Sequence, residues 1–464
     1  MLRGLRIMTT RRRTPIRGAA HAYLSARSEL GKRFGLEGTR ALVAALGHPE
    51  RACPSLLIAG TNGKGSVAAY VSHALRASGL RVGLYTSPHL VRVHERIVVE
   101  GRPIGVAALD RLIARIRDRA QELLDRGRIS ELPTYFEALT AAAFEHFRER
   151  RVDVAVLEVG LGGRLDATNV SEPLASAIVS IDFDHESFLG RTLGRIAGEK
   201  AGVARRGRTL VIGAMREEAR RAIAAAARSV RARVVDATHG TTLRESALGV
   251  SVTTPRARYD GLHPLTGAHQ RSNLVVALAL LEAAKAAGLR FRFDPERIRV
   301  GINRTRWPGR LQAVPGRPAL LLDGAHNPAG ARALADYLRT LPPFVLLFGV
   351  MRDKDVAALG RTLFPLARHV VVTQPVSARA ATPEEIQERV GPLARRAHRE
   401  ADPCRALAIA RRLAGPGGLV VVAGSLYLVG EALRLGRRGR GSPVQLAPNK
   451  AAFRRRVRAG TRYR

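Results

Sequence analysis

The chain has 464 residues, of which 46% are hydrophobic, so it can form two or three domains with sizeable buried cores. No apolar run reaches the roughly 18 residues that a membrane-spanning helix needs, and Cys53 and Cys404 form neither a metal-binding spacing nor a disulfide framework, which fits a reducing cytoplasm. The formal net charge of +38 is almost all arginine, but only the two ends carry arginine runs and aromatic residues make up 5%, which argues against a platform for single-stranded nucleic acids.

The first half of the chain alternates short apolar strands with helices. Strands are predicted at 55–59, 81–86, 152–160 and 175–181, and a helix at 64–78 follows the first of them. This rhythm is typical of parallel strands joined by crossover helices in a doubly wound sheet. Residues 241–259 look like an appended antiparallel hairpin, and another helix is predicted from about Gln270 to Ala287.

A second α/β series follows a stretch rich in proline and glycine, "WPGRLQAVPGRP". Its strands are predicted in "ALLLD", "FVLLFGV", "HVVVT" and "GLVVVAG". We therefore predict an α/β protein with an N-terminal doubly wound domain of the P-loop ATPase type at 21–305, a linker at 306–318 and a smaller, Rossmann-like domain at 319–435. The active site is expected in the cleft between the domains, and the basic ends, 1–20 and 436–464, are expected to be disordered.

The stretch "GTNGKGS" lies between the first predicted strand and the first predicted helix. Glycines in such a turn let main-chain N–H groups converge on phosphate oxygens, and the helix N-terminus adds partial positive charge. Its lysine can reach the outer phosphates and its serine can ligate Mg²⁺. A glycine between the lysine and the serine departs from the usual phosphate loop, but the context still predicts a site for ATP, formed by Gly60, Thr61, Asn62, Gly63, Lys64, Gly65 and Ser66.

Three further polar residues follow predicted strands at one edge of the sheet. Ser87 comes after the strand at 81–86, Glu158 ends the next strand, and His185 follows the strand at 175–181. Ligands of doubly wound sheets bind at the carboxyl ends of the strands. Each residue could simply accept main-chain hydrogen bonds at a strand end, but three of them beside one phosphate loop favour a shared site.

Taken together, the motifs resemble those of the folylpolyglutamate synthase/dihydrofolate synthase family, ATP-dependent ligases of the wider Mur ligase superfamily. They occur in order between about residues 21 and 435: "GTNGKGS", "YTSPHL", "EVGLGGRLDATN", "DFDH", "EKAG", "HQRSN", "WPGR", "DGAHNP" and "GSLYLVGE". The resemblance implies that ATP converts a pterin-linked carboxylate to an acyl phosphate. The amine of L-glutamate then attacks, and ADP and phosphate are released.

The resemblance also implies a pair of Mg²⁺ ions beside the ATP phosphates. The metal ligands would be Ser66, Ser87, Glu158 and His185. Lys200 in "EKAG" would help to hold the second ion if its amine were carbamylated, because carbamylation replaces a cation with an anion that carries oxygen ligands. Lys64, Lys200 and His326 are the expected catalytic residues, with His326 near glutamate or the acyl phosphate.

Further ATP contacts are implied by three motifs in the second half of the chain. Asn273 in "HQRSN" would bind adenine, and Arg310 in "WPGR" would bind the phosphates. Asp323 in "DGAHNP" would bind the ribose or Arg310, although it could instead cap a helix. Because Arg310 lies at the linker, domain closure would be part of the chemistry and would exclude water from the acyl phosphate.

The pterin side is implied by "FGLE" at 34–37 and "TYFEA" at 134–138. Thr134 would donate or accept a hydrogen bond and Phe136 would pack against the ring, although Phe136 could equally belong to the core. Position 135 is tyrosine where family members often have phenylalanine. The candidate pterin-binding residues are Gly35, Leu36, Thr134, Phe136, Gly162 and Gly163.

Two alternatives differ in function from a folate ligase. A peptidoglycan-precursor ligase of the same superfamily would carry a UDP-binding domain before the phosphate loop, and only 59 residues precede Gly60 here. For a nucleotide-binding protein that associates with nucleic acids, the arginine-rich ends would have to determine what the protein binds. We predict a cytoplasmic, monomeric ligase with dihydropteroate or folate and L-glutamate as substrates, and with neither a nucleic acid nor a membrane as partner. Dihydrofolate synthesis, polyglutamate extension or both remain open.

Overall fold

The computed structural model describes residues 19–28 and 35–437. Residues 19–20 and 436–437 lie in helices, and the rest of the two basic ends, like Phe34 of the "FGLE" motif, lies outside the described residues. The first domain contains the strands β1 (Ser55–Ala59), β2 (Val82–Tyr85), β3 (Ile97–Val99), β4 (Arg102–Pro103), β5 (Val154–Glu158), β6 (Pro173–Ile178), β7 (Thr209–Ile212), β8 (Arg233–Asp236), β9 (Thr242–Ser246), β10 (Gly249–Thr253) and β11 (Arg258–Leu262).

Its helices are α1 (Ala19–Ser28), α2 (Glu37–Ala45), α3 (Lys64–Ala77), α4 (Val106–Asp125), α5 (Tyr135–Glu149), α6 (Glu186–Leu189), α7 (Leu193–Ala201), α8 (Glu217–Ser229), α9 (His269–Ala286) and α10 (Pro295–Arg304). The strands β1 to β8 form one sheet in the order β4-β3-β2-β5-β1-β6-β7-β8. Neighbours from β2 to β8 pair in parallel, whereas β3 and β4 add an antiparallel edge. The predicted doubly wound sheet is therefore confirmed, and its antiparallel edge was not predicted.

The two faces of the sheet carry separate hydrophobic cores. Along β1, Leu56 and Ile58 pack with α3, α9 and α10, while Leu57 and Ala59 pack on the side of α4, α5, α7 and α8. Successive side chains of a strand point to opposite faces, so a strand covered on both faces is apolar throughout. The uninterrupted "SLLIA" run follows from this burial.

The appended antiparallel element is confirmed and has a third strand. The strands pair in the order β11-β10-β9. Two buried hydroxyls attach this sheet to α9, since Thr254 Oγ1 and Tyr259 Oη donate to the same Glu282 carboxylate oxygen at 2.6 and 3.0 Å. The predicted helix at 270–287 is α9, shifted by one residue.

The second domain contains the strands β12 (Gln312–Val314), β13 (Ala319–Leu322), β14 (Val345–Phe348), β15 (His369–Val372), β16 (His398–Arg399) and β17 (Leu419–Ala423), and the helices α11 (Pro328–Leu338), α12 (Val356–Leu363), α13 (Pro383–Val390), α14 (Pro403–Ala414) and α15 (Leu426–Arg437). Its sheet has the order β12-β13-β17-β14-β15-β16, with all neighbours parallel except β12 and β13. The predicted linker at 306–318 therefore needs correction, because residues 312–314 form an edge strand paired with 320–322.

Helix α15 packs the second domain against the first. Leu90, in the loop after β2, contacts the core formed by α14, α15 and their strands. Gly430 of α15 lies so close to Leu90 that an added Cβ would overlap the Leu90 carbonyl oxygen. A side chain at this position would push the two domains apart.

We expect Gly430→Ala to lower the free energy of unfolding by about 1–3 kcal/mol, because overpacking against main chain cannot relax easily. Gly198→Ala is the matched control, since Gly198 is also inside a helix, and a Cβ there would have no neighbour within 4 Å. The control is expected to be stabilised by up to about 1 kcal/mol. Chemical unfolding of both variants tests this, and equal effects would contradict the close contact at Gly430.

Candidate active site

The phosphate loop joins β1 to α3, as predicted. Lys64 is the first residue of α3, and its Nζ donates to the carbonyl oxygens of Gly60 at 2.9 Å and Thr61 at 3.2 Å. Burial lowers the pKa of Lys64, while the carboxylates of Glu158 and Asp184 act in the opposite direction. A buried ammonium held inside a turn at a helix N-terminus is suited to binding anions.

Glycines in this loop leave room for residues from two other segments. Gly63 has a φ of 84° and lies against the Asn273 side-chain amide, so a Cβ there would overlap it. Gly65, the glycine between Lys64 and Ser66, would place a Cβ 2.9 Å from Trp307 Nε1. The departure from the usual phosphate-loop spelling therefore has a steric reason, because the indole of the "WPGR" motif lies on the first turn of α3.

The loop after β6 is attached directly to the phosphate loop. Thr61 donates its N–H to Ser180 O at 2.8 Å and its hydroxyl to Asp182 O at 3.1 Å. Asn62 donates its N–H to Ser180 Oγ at 3.0 Å. These bonds bring the "DFDH" motif, at 182–185, to the edge where β1 ends.

Glu158 and Ser87 meet at the same edge. Glu158 pairs in register with Ile58, two residues before the phosphate loop, and its Oε2 accepts the Ser87 N–H at 3.0 Å. Burial raises the pKa of Glu158, and Lys64, the Ser87 N–H and Arg310 oppose this. His185 is the N-cap residue that precedes the short α6, and its Nε2 lies 3.8 Å from Asp184 Oδ1.

The donor set fits Mg²⁺ better than a softer metal. The described residues contain no group of three or more His, Cys, Asp or Glu side chains that would hold an ion by themselves. Available ligands are instead the buried Glu158 carboxylate, the hydroxyls of Ser66 and Ser87, and His185, and nucleotide phosphates and water would complete the set. Mg²⁺ commonly binds through one or two carboxylates plus substrate phosphates and waters.

The side chain of Lys200, in α7, contacts the phosphate loop. Its Nζ donates to Gly60 O at 3.1 Å, the carbonyl that also accepts from Lys64. Burial, followed by repulsion from Lys64, lowers the pKa of Lys200 to about 7. A neutral amine is thus accessible near pH 7, and only the neutral form can react with carbon dioxide.

Second-domain residues complete the edge. Lys354 Nζ lies 2.6 Å from Asp184 Oδ1, and Asn327 Nδ2 donates to Asp184 Oδ2 at 3.0 Å and to Asn62 Oδ1 of the phosphate loop at 3.0 Å. Burial alone would raise the pKa of Asp184, but Lys354, with help from His185 and His326, holds it well below its usual range. The phosphate loop and the second domain are therefore connected by direct hydrogen bonds.

The candidate ATP contacts lie beside the phosphate loop and at the turn that follows Arg310. Asn273 donates to Gln270, which in turn donates to Ser66 Oγ at 3.2 Å. Asp323 accepts the N–H groups of Leu311 and Ala325, both at 2.9 Å, and thereby holds the turn that follows Arg310. The alternative role of Asp323 as a helix cap is wrong, because Asn327 caps α11.

His326 lies between the two domains. Its Nδ1 is 2.8 Å from Gly324 O, and its Nε2 is 3.8 Å from Asp184 Oδ2. Burial and the nearby Lys354 lower the pKa of His326 to about 4. The ring is therefore neutral at physiological pH. Because the Gly324 carbonyl oxygen can only accept, Nδ1 carries the proton and donates to it, and Nε2 is left as the acceptor.

The expected pterin-binding residues lie around the starts of α2 and α5 and in the loop after β5. Thr134 caps α5, with its hydroxyl accepting the Glu137 N–H at 3.3 Å, and Leu36 is buried at the start of α2. The partly buried Phe136 packs on Tyr85 and on Gly160, where a Cβ would be 2.6 Å from its ring. The remaining three candidates are glycines: Gly35 precedes α2, Gly162 faces Leu189, and Gly163 contacts the Lys200 main chain.

Sequence reasoning assigned no role to Asp184, Asn327, Gln270 or Lys354. Asp184, Gln270 and Asn327 lie inside the motifs "DFDH", "HQRSN" and "DGAHNP", in which other residues were predicted to form the site. Lys354 lies six residues after the end of β14, so the strand-end argument applied to Glu158 does not reach it. No helix in the described part of the chain is long and apolar enough to cross a membrane.

Comparisons with known proteins agree with this arrangement. The family model of the Mur ligase middle domain matches residues 58–281, and that of the Mur ligase glutamate ligase domain matches residues 309–426. The folylpolyglutamate synthase of Lacticaseibacillus casei is 34% identical over 426 residues, 88% of this chain and 95% of that protein. A probable bifunctional folylpolyglutamate synthase/dihydropteroate synthase of Halobacterium salinarum is 40% identical over 87% of this chain, which spans about half (49%) of that longer protein.

Solved structures show the same fold. Escherichia coli FolC in complex with DHPP and ADP superposes with a TM-score of 0.81 at 30% identity, covering 91% of this chain and 98% of that one. A bifunctional folylpolyglutamate synthase/dihydrofolate synthase with Mn, AMPPNP and L-glutamate bound superposes with a TM-score of 0.78 at 31% identity, covering 89% and 97%. The chain therefore belongs to the folylpolyglutamate synthase/dihydrofolate synthase family of Mur ligases.

Proposed function

We propose that this protein is an ATP-dependent ligase that joins L-glutamate to dihydropteroate, to folate (poly)glutamates, or to both, through an acyl phosphate. The observation that carries the proposal is the meeting of Lys64, Glu158 and the Asp184–Lys354 pair at one edge between the domains. A phosphate-binding loop beside a buried carboxylate and a second-domain lysine provides sites for nucleotide, metal and an anionic co-substrate. Family members with these ligands bound support the assignment.

In the proposed mechanism, the chain's residues mainly position reactants and balance charge. Lys64 and the N–H groups of the phosphate loop would bind the outer phosphates, and Arg310 would approach them from the linker. Two Mg²⁺ ions, held by Ser66, Ser87, Glu158, His185 and a carbamylated Lys200, would neutralise phosphate charge. Domain contact through Asn327 and Lys354 would exclude water from the acyl phosphate.

The neutral His326 is suited to receiving a hydrogen bond from the attacking amine of glutamate, because its protonated form is rare at pH 7. Asn273 and Asp323 would fix the nucleotide through the loop and the turn that they hold. Thr134, Phe136 and the glycines at 35, 162 and 163 would line the pterin side with Leu36. We also propose that the protein acts as a monomer in the cytoplasm.

We expect purified protein with ATP and Mg²⁺ to incorporate L-glutamate into dihydropteroate, into a reduced folate monoglutamate, or into both. Separate incubations with each acid, followed by mass spectrometry of products and assay of phosphate release, measure this. Added DNA or RNA should leave turnover unchanged. ATP hydrolysis with no glutamate incorporated into either acid would contradict the proposed function.

A further inference from the structure

Arg96 is a buried cation close to both halves of the proposed site. It ends the 3₁₀ turn Val93–Arg96 before β3 and is only 7% exposed. Its carbonyl oxygen accepts the Thr86 N–H at 3.0 Å, next to Ser87, and its Nε donates to His89 Nδ1 at 3.0 Å. Within the described ranges, no Asp or Glu oxygen lies within 4.0 Å of its guanidinium nitrogens.

A buried guanidinium without a close carboxylate is costly unless an anion compensates it. The ring of Tyr135, 5.2 Å from Arg96 Cζ, offers a cation–π contact but no negative charge. Arg96 is near enough to Glu158 to lower the pKa of that carboxyl. Lys64 and Arg310 act on the same carboxyl, and each of these two cations lowers its pKa more strongly than Arg96 does. The local balance of charges favours an additional anion beside Arg96.

The position of Arg96 indicates which anion this is. The ring of Tyr135, which lies in sequence between the pterin-side candidates Thr134 and Phe136, contacts Arg96. Glu158, which accepts the Ser87 N–H beside the phosphate loop, is also close enough for Arg96 to act on its charge. A pterin-linked acid that extends from the Tyr135 segment toward Glu158 would bring its carboxylate past Arg96.

We propose that Arg96 binds the carboxylate of the acid substrate and holds it toward the phosphate edge before the acyl phosphate forms. This inference rests on the proposed function and deepens it. A planar guanidinium can give two parallel hydrogen bonds to a carboxylate, and the Tyr135 ring and His89 keep its plane fixed. Binding changes no covalent bond, and the carboxylate remains free to attack phosphorus.

The test compares binding of dihydropteroate with binding of its neutral primary amide, by calorimetry in the presence of ADP so that no turnover occurs. Wild type is expected to prefer the acid roughly ten- to a hundred-fold, the range of a charged hydrogen bond. In Arg96→Gln the two affinities should become nearly equal, and Arg96→Lys should keep part of the preference. The control variant Arg102→Gln changes an exposed arginine in the adjacent strand β4 and should behave as wild type.

An unchanged acid-to-amide ratio in Arg96→Gln would overturn the role of Arg96 and leave the proposed function standing. If Arg96→Gln does not fold, Arg96→Lys decides, because a purely structural arginine would weaken both ligands equally and preserve the ratio. Failure of wild type to bind either ligand, together with no glutamate incorporation, would overturn both the inference and the function on which it rests.

Discussion

Replacing Lys64 with alanine is expected to lower the turnover number about a thousand-fold or more while the protein stays folded. The Lys64 ammonium lies within the phosphate loop, bonded to two loop carbonyls, where the outer phosphates of a nucleotide would attract it instead. Phosphoryl transfer depends mainly on positioning and charge neutralisation, so loss of this cation removes stabilisation that grows as negative charge shifts during the reaction.

The fold should tolerate this change for three reasons. Alanine is favourable at the first turn of α3, and burial of the Lys64 cation opposes its charged form. The Gly60 carbonyl would also keep its second donor, Lys200 Nζ at 3.1 Å. Circular dichroism should therefore match wild type.

Steady-state phosphate release with ATP, glutamate and the accepted acid measures the effect. Lys285→Ala is the matched control, because Lys285 is an exposed lysine of the same domain that bonds only main chain and a ring in the described structure, Phe291 O and the Phe291 side chain. Its turnover should equal that of wild type. Turnover of Lys64→Ala within threefold of wild type would remove Lys64 from the proposed mechanism.

Sequence alone could locate the phosphate edge because local pattern decides it. A strand buried on both faces must be apolar throughout, and the polar residue that ends it must lie at the sheet edge, which places Glu158 beside the phosphate loop without any knowledge of distant contacts. The register between Ile58 and Glu158 in the structure follows from the same parallel pairing.

The contacts between the domains could not be predicted in this way. The bond between Asn327 and Asn62 spans 265 residues, and that between Lys354 and Asp184 spans 170, so neither leaves a periodic signal in the sequence. Arg96 was missed for a related reason, since an arginine among 77 basic residues becomes conspicuous only when the structure shows it buried. The strand at 312–314 was assigned to a linker because three residues among prolines and glycines carry almost no strand pattern.

The Asp184–Lys354 pair gives the second large expected effect. Both side chains are 9% exposed, and each belongs to a different domain. Removing one partner of a buried pair leaves an uncompensated charge, which typically costs about 3–5 kcal/mol. We expect Lys354→Met to destabilise the protein by an amount of this order and to reduce turnover strongly, because Asp184 lies one residue from His185 and contacts Asn327, which bonds the phosphate loop.

A second ion pair between the domains provides the control. Arg332 and Asp182 are 3.1 Å apart, but their side chains are 58% and 30% exposed, so solvent screens the pair. Arg332→Gln is therefore expected to change the free energy of unfolding by less than about 1 kcal/mol. Lys354 and Arg332 each form an ion pair across the same domain boundary. Comparing the two variants by urea unfolding and by phosphate release therefore separates the effect of burying an ion pair from the effect of contact alone.

The double variant Asp184→Asn/Lys354→Met distinguishes stability from catalysis. Replacing both charges removes the uncompensated carboxylate, so most of the lost stability should return. Turnover should stay low, since neither the lysine nor the carboxylate is present beside the phosphate loop. If turnover recovered along with stability, the pair would serve only to hold the domains together, and the second-domain lysine would have no part in the chemistry.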